Sequence, residues 1–265
     1  MKKELIRTSK DSSQYVMSCY SLREKRCWAL IIDKLQQYID MDIDWETIPT
    51  EELRKIIPLT EYSYEYKVPL SLNKIDGSNP SQVILEALKG VTSLIIHKSK
   101  YDMFVFINRI SYDEETKQFF AYLPLTSLRW VLDFGRKKKM FVTFHKPTFM
   151  KLSTSYAQNI FLLLSEFYSS GYIRMDLDSF KKKMGCPASY DAKDIRDNVL
   201  KRSIKEFERV GSKISFAYCF SSNNKTNSVG RKKIDTIEIA ISYMDENGQF
   251  TFNIDNTLID KKWEA

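Results

Sequence analysis

The sequence predicts an α+β chain built from two tandem modules of one kind, and three observations predict it. The apolar pattern runs twice through helix, short strand, helix, helix and two-stranded hairpin. A break falls at His145-Lys146-Pro147-Thr148, where Pro147 closes the strand-like run 140–144. The composition is that of a folded protein: 43% hydrophobic and 28% charged, with 8 Gly and 7 Pro in 265 residues, which excludes a disordered or linker-dominated chain. The break separates residues 1–145 from residues 146–265.

The first module opens with a helix. Ser21 followed by Glu24 is a capping-box pattern, and Cys27, Leu30, Ile31, Leu35 and Tyr38 recur at helical spacing behind it. A short helix is expected over 50–57, with Thr50 as its cap and Pro58 as its stop. Val68-Pro69-Leu70 reads as extended. A helix over 81–89 carries Val83, Ile84, Ala87 and Leu88 on one face and ends at Gly90. Leu94-Ile95-Ile96 reads as a strand. A hairpin of 103–112 and 118–123 turns through Asp113-Glu114-Glu115-Thr116-Lys117. A helix over 124–134 closes the module, its first turn suited to Pro124.

The second module repeats the order. A helix over 154–168 has Tyr156, Ile160, Leu163, Leu164 and Phe167 on one face. A strand covers 172–175. Asp176 caps a helix with Leu177, Phe180 and Met184 inward and Gly185 behind it. A longer helix spans 192–209, and the strands 214–220 and 234–243 form a hairpin around the polar loop 221–230. This order is that of a winged helix, a helix-turn-helix whose hairpin lies beside the helix that enters the DNA groove. Two tandem winged-helix domains are therefore expected.

Charge gives the modules a partner. The chain carries 41 Lys+Arg against 34 Asp+Glu, net +7, and both halves are basic. Projected at 100° per residue, Ile195, Val199, Leu200, Ile204, Phe207 and Val210 share one half of the 192–209 helix. Asn198, Lys201, Arg202, Lys205 and Arg209 gather opposite. Arg and Asn present forked hydrogen-bonding groups to base edges, and Lys neutralises phosphate. Arg196 projects into the apolar half, a place suited to an internal pair. Asp194, Asp197, Glu206 and Glu208 dilute the basic side. Lys181, Lys182 and Lys183 on the preceding helix are expected on the phosphate backbone, and Lys225, Arg231, Lys232 and Lys233 at the wing. Arg136-Lys137-Lys138-Lys139 is a further cluster near the end of the first half. The same charges also suit a solvated surface bearing i,i+4 pairs. In the first module the 81–89 helix is poor in charge and better suited to protein contacts or weak DNA binding.

Catalysis and cofactors find little support. The sequence holds two histidines, His97 and His145, and has no GxxxxGKS, HExxH or GxSxG motif. Cys19, Cys27, Cys186 and Cys219 form no CxxC pair, so no cofactor or metal is expected and the thiols read as reduced packing residues. The alternating acids Asp40, Asp42 and Asp44 read as a solvated loop or cap. Tyr156, a conceivable nicking tyrosine, sits at apolar helical spacing and reads as core. No apolar run is long enough to span a membrane and no signal-peptide pattern opens the chain, so a cytoplasmic protein is expected.

The second half also resembles a known family. The stretch Leu152-Ser153-Thr154-Ser155-Tyr156-Ala157 through Leu162-Leu163-Leu164 comes first, then Gly171, then Leu177 to Gly185 with Lys181-Lys182-Lys183. Ser189-Tyr190 and Val199-Leu200-Lys201-Arg202-Ser203-Ile204-Lys205-Glu206-Phe207 complete it. Together these are similar to the second winged-helix domain of plasmid replication initiator (Rep) proteins. The first half fits more loosely, through residues 22–35 and 123–144. Phe161, Phe207 and Asp197 depart from the family's usual Tyr, Ile and basic residue. The resemblance implies a non-enzymatic protein that binds directly repeated origin DNA (iterons) as a monomer, remodels an adjacent AT-rich region and recruits a host helicase or initiator. It also implies dimers that repress their own promoter, with the first domain serving dimerisation and DNA contacts and the second the main recognition. A dedicated transcriptional repressor with the same fold and an origin-nicking enzyme are the alternative readings.

Overall fold

The structure is a computed structural model describing residues 4–19, 21–39, 41–61, 64–70, 95–97, 103–113, 115–116, 118–133, 141–222, 234–252 and 263–264. The chain divides into two compact units, Met1–Val16 with Tyr20–Lys146, and Met17–Cys19 with Pro147–Ala265.

In the first unit, strand β1 (Leu5–Ser9) leads into helix α1 (Lys10–Cys19) and helix α2 (Leu22–Ile39). Ser21 and Glu24 cap α2 reciprocally: the Ser21 N–H donates to Glu24 Oε2 at 2.5 Å and the Glu24 N–H to Ser21 Oγ at 3.4 Å. Its apolar side, with Cys27, Trp28, Ile31, Ile32 and Leu35, is fully buried. Burial pushes the Cys27 thiol up to about 12, as suits a packing residue. Helix α3 (Thr50–Ile56) starts at its expected cap residue, so that the cap itself lies one residue earlier. Thr50 is helical and Pro49 holds the cap position without a side-chain bond, because proline's fixed φ already shapes the entry.

Strands β2 (Tyr66–Leu70), β5 (Arg109–Asp113) and β6 (Gln118–Leu123) form an antiparallel sheet with β6 central, and β3 (Ile95–His97) pairs with β4 (Met103–Val105). The expected long strand 103–112 is thus two strands. The break comes where Phe106 and Ile107 are both buried, which period-two alternation forbids in a sheet with one solvated face. The 81–89 helix and the 136–139 basic run lie outside the described residues. Helix α4 (Leu125–Asp133) follows Pro124. From it Arg129 donates to the carbonyls of Trp45, Glu46 and Ile48 at 2.8, 2.9 and 2.6 Å. Asp44 in the same loop accepts from the Thr47 N–H, a turn role for that acid. Strand β7 (Phe141–His145) pairs with β1 along its whole length, and Phe144 stacks on Trp28.

The second unit begins in helix α5 (Lys146–Lys151). Pro147 does follow a strand, but it sits in the first turn of a helix, where its missing N–H costs nothing. Helix α6 (Ser155–Glu166) is capped by the Thr154 side chain, which accepts from the Ala157 N–H. Residues Ala157 to Ser165 are all buried, so α6 is the central core helix. Strand β8 (Tyr172–Asp176) runs into helix α7 (Leu177–Met184), which Asp176 caps and Gly185 ends in the left-handed conformation at φ 68°. Strands β9 (Ile214–Ser221), β10 (Thr236–Met244) and β11 (Phe250–Phe252) follow the long helix described below. β10 is the sheet's centre, with β9 on one edge and β8 and then β11 along the other. Phe207, Phe216, Tyr218 and Phe220 form a ladder of ring contacts on the core side.

Candidate nucleic-acid interface

The helix that should meet DNA is α8, composed of Ala192–Asp194, a π stretch Ile195–Leu200, and Lys201–Arg209. Asp191 opens it with a capping box: its carboxylate accepts from the Asp194 N–H at 2.9 Å, while Asp194 accepts from the Asp191 N–H at 3.2 Å. Asp194 is therefore occupied at the helix start. The sequence predicts a uniform α-helix here, and the π stretch corrects it. An α-helix turns about 100° per residue and would set Ile195 and Leu200 about 140° apart. The wider i→i+5 turns draw them closer to one side, and both are fully buried beside Val199. The helix ends in a Schellman motif, with the Gly211 N–H on the Glu208 carbonyl, the Ser212 N–H on the Phe207 carbonyl, and Gly211 at φ 64°.

On the expected core side Ile195, Val199, Leu200, Ile204 and Phe207 are buried, while Val210 at the helix end is half-buried. Outward, Lys201, Arg202 and Lys205 are exposed and Asn198 is half-buried. Arg202 and Lys205 make no ion pair among the described residues. Lys201 stands 3.7 Å from Asp197, which also accepts from Arg196 Nε at 3.1 Å. That hydrogen bond, with the nearby lysines, holds the Asp197 carboxyl below the usual carboxylate range. Arg196, whose projection suggests an internal pair, instead pairs with its part-exposed neighbour Asp197 on the outward side. Tyr218 beneath it donates its hydroxyl to Glu264 at 3.1 Å, and residue 264 bridges to Tyr218 through both backbone hydrogen bonds. Burial and then that carboxylate push the Tyr218 phenol upward.

Two expected members of the basic side are placed differently from the rest. Glu206, expected to dilute that side, is 8% exposed and points inward. Its Oε2 accepts from the Ser153 N–H at 2.6 Å and the Thr154 N–H at 3.2 Å, at the start of α6. There a carboxylate answers the unpaired N–H groups and the helix dipole. Arg209 donates to the Lys151 carbonyl at 3.2 Å and Ser153 Oγ at 3.3 Å, away from the Lys201–Lys205 cluster by about one to two helical turns.

The lysines of α7 also separate. Lys181 pairs with Asp178 at 2.7 Å and Lys183 with the buried Glu166 at 3.3 Å, whereas Lys182 is exposed. Consecutive residues on a helix point about 100° apart, so three adjacent lysines cannot share one surface. Lys225, Arg231, Lys232 and Lys233 lie outside the described residues. Lys193, exposed in the first turn of α8, was missed by the projection. Its place directly behind the Asp191 cap, at the end of the helix that approaches bases in such motifs, was the available signal.

Tyr156 is half-buried beside Cys186 and Tyr190, and desolvation followed by those neighbours raises its phenol to about 12. A phenolate nucleophile is correspondingly harder to form there. His145 bonds to Glu4 at 3.2 Å. Among the described residues, no three His, Cys, Asp or Glu side chains gather as a metal site, and no helix is long and apolar enough to cross a membrane.

Known proteins resemble the chain both in sequence and in fold. Residues 176–241, from the α7 cap through most of β10, match the family described as initiator Rep protein, WH2. Among solved structures the chain is similar to one described as "Crystal structure of Pi initiator protein in complex with iteron DNA". The identity is 17% and the TM-score 0.56, over 93% of this chain and 99% of that one, a likeness of fold. No curated protein matches the sequence. The helix-turn-helix of α7 and α8 with the β9–β10 hairpin is therefore a winged helix, and over residues 176–241 the chain is similar to the family described as initiator Rep protein, WH2.

Proposed function

We propose that this protein initiates plasmid replication by binding repeated origin sequences in double-stranded DNA and recruiting host replication machinery. The observation that carries the reading is the winged helix of an initiator Rep protein whose long helix turns Lys201, Arg202 and Lys205 to solvent while Glu206 is withdrawn. The solved relative of like fold is described with iteron DNA. Asn198, Lys201 and Arg202 face bases or their edges in this reading, and Lys205 and Lys182 face phosphates. Lys181, Lys183 and Arg209 act through the packing of these helices. Lys225, Arg231, Lys232 and Lys233 belong to the wing that follows the backbone.

Residues 146–265 form the main recognition domain. Residues 1–145 form a second winged helix that serves dimerisation and additional DNA contacts, and the protein works in the cytoplasm without enzymatic activity. Tethering two such domains raises the effective concentration of the second once the first is bound, so one repeat can be read across successive grooves.

The test is Arg202→Ala with Lys205→Ala, assayed by gel shift on a duplex carrying the direct repeats beside the gene. Loss of two phosphate or base contacts should weaken binding by about tenfold or more with the fold intact by circular dichroism. Unchanged affinity would remove α8 as the recognition element. A plasmid carrying only this gene and its repeats should replicate in a suitable host, which a dedicated repressor would not support.

A further inference from the structure

Arg209 has the residue type of a phosphate contact, yet its surroundings are those of a joint. Its Nη2 lies 3.2 Å from the Lys151 carbonyl, 3.3 Å from Ser153 Oγ and 3.9 Å from Glu206 Oε2. Glu206, one turn earlier on the same helix, is buried and accepts from the backbone N–H groups of Ser153 and Thr154. A single acid and base, three residues apart, thus grip every residue but one between the end of α5 and the start of α6. The grip is polar and directional, because each bond has a fixed donor and acceptor. Packing of Phe207 on Phe161 and Phe216 fixes how far α8 stands from α6. Apolar contact leaves rotation and sliding along the axis softer, since it carries no direction.

We propose that Glu206 and Arg209 form a clamp that sets the orientation of the recognition helix on residues 151–154, so that Arg209 serves sequence discrimination as a positioning residue. The inference rests on the DNA-binding reading of α8. Base-edge contacts demand alignment within a fraction of an ångström, whereas phosphate attraction tolerates displacement. Loosening the clamp therefore degrades specific binding and spares non-specific binding.

The experiment uses the full chain and two duplexes, one carrying the direct repeats beside the gene and one scrambled with the same composition. Affinity is measured across about 50–200 mM salt for wild type, Arg209→Ala, Arg209→Lys, Glu206→Gln and, as a phosphate-contact reference, Lys205→Ala. For Arg209→Ala the expected result is a loss of about tenfold on the repeat duplex, a change within about twofold on the scrambled one, and an unaltered salt slope. Arg209→Lys, which keeps the charge but carries it on a shorter reach without the planar guanidinium, should fall between wild type and the alanine variant. Glu206→Gln retains an acceptor for the Ser153 and Thr154 N–H groups and should lose less. Combined with Arg209→Ala it should add little, since both act on one joint.

Equal losses on the two duplexes with the slope reduced by about 0.9 would make Arg209 a phosphate contact and overturn the proposal. No change on either duplex would overturn it as well. Should Arg209→Ala unfold, Arg209→Lys and Glu206→Gln decide by the same criteria. Failure of wild type to discriminate the duplexes would instead sink the DNA-binding reading itself.

Discussion

Asp197 is an acid on the outward side of the helix that should approach a polyanion. It engages Arg196 and Lys201, two cations that could otherwise face DNA. Its carboxyl is held below the usual range by the Arg196 hydrogen bond, so it stays ionised from about pH 5 upward. Asp197→Asn should therefore raise affinity for a scrambled duplex several-fold at low salt, the gain shrinking as salt screens it. In wild type the same gain should appear only as pH falls through the depressed carboxyl pKa, and binding should be flat between about pH 5 and 8 on this account. An asparagine variant with wild-type affinity at low salt would show that Asp197 lies off the interface. Glu206 shows the opposite fate of an acid: two N–H groups and burial make it part of the scaffold. Hydrogen bonds to a charged group contribute about 1.5–3 kcal/mol each when buried.

Elements of the second unit are ended by left-handed glycines, Gly185 after α7 and Gly211 after α8. At Gly211 an added Cβ would meet nothing within 4 Å, so only the backbone conformation is at stake. Gly211→Ala should cost about 1 kcal/mol in urea denaturation, and Gly211→Asn less, because asparagine tolerates this conformation better. Equal stability of the glycine and alanine proteins would mean that the cap is not left-handed. The Asp176 cap was legible in the sequence and Thr154 was placed at the start of its helix, since a cap acts on an N–H two or three residues away, whereas the Asp191 cap emerges only in the structure. The π stretch was not readable. Ile195 and Leu200 are reconciled by the core they both enter, and an α-periodic projection assumes the answer before it is applied.

At the scale of the molecule, several phenols titrate late. Burial, the largest cause in each case, raises Tyr66, Tyr156 and Tyr243 to about 12. In the unfolded chain tyrosine ionises near 10, so above that pH the unfolded state binds fewer protons than the folded one. Stability from these groups is complete below about pH 10 and is lost as pH rises towards 12. Thermal melting should fall progressively over that window, and Tyr156→Phe should flatten part of the fall. A melting temperature constant between pH 9 and 11.5, or unchanged steepness in the variant, would contradict the burial of these rings (about 10 and 12 being the two limits).

The features legible in the residues alone are local: helical period, most caps and stops, and a basic side at Lys201, Arg202 and Lys205. These depend on residues within about one turn of each other, where geometry is nearly independent of the remainder of the chain. Tertiary structure alone decided which charges remain for a partner. Glu206 meets Ser153 across 53 positions and Arg209 meets Lys151 across 58. Lys183 is drawn to a buried Glu166, and β1 finds β7 from the far end of the first unit. Such pairings follow from how the elements pack, and a side chain's charge is the same in the sequence whether it is bound inside or offered to solvent.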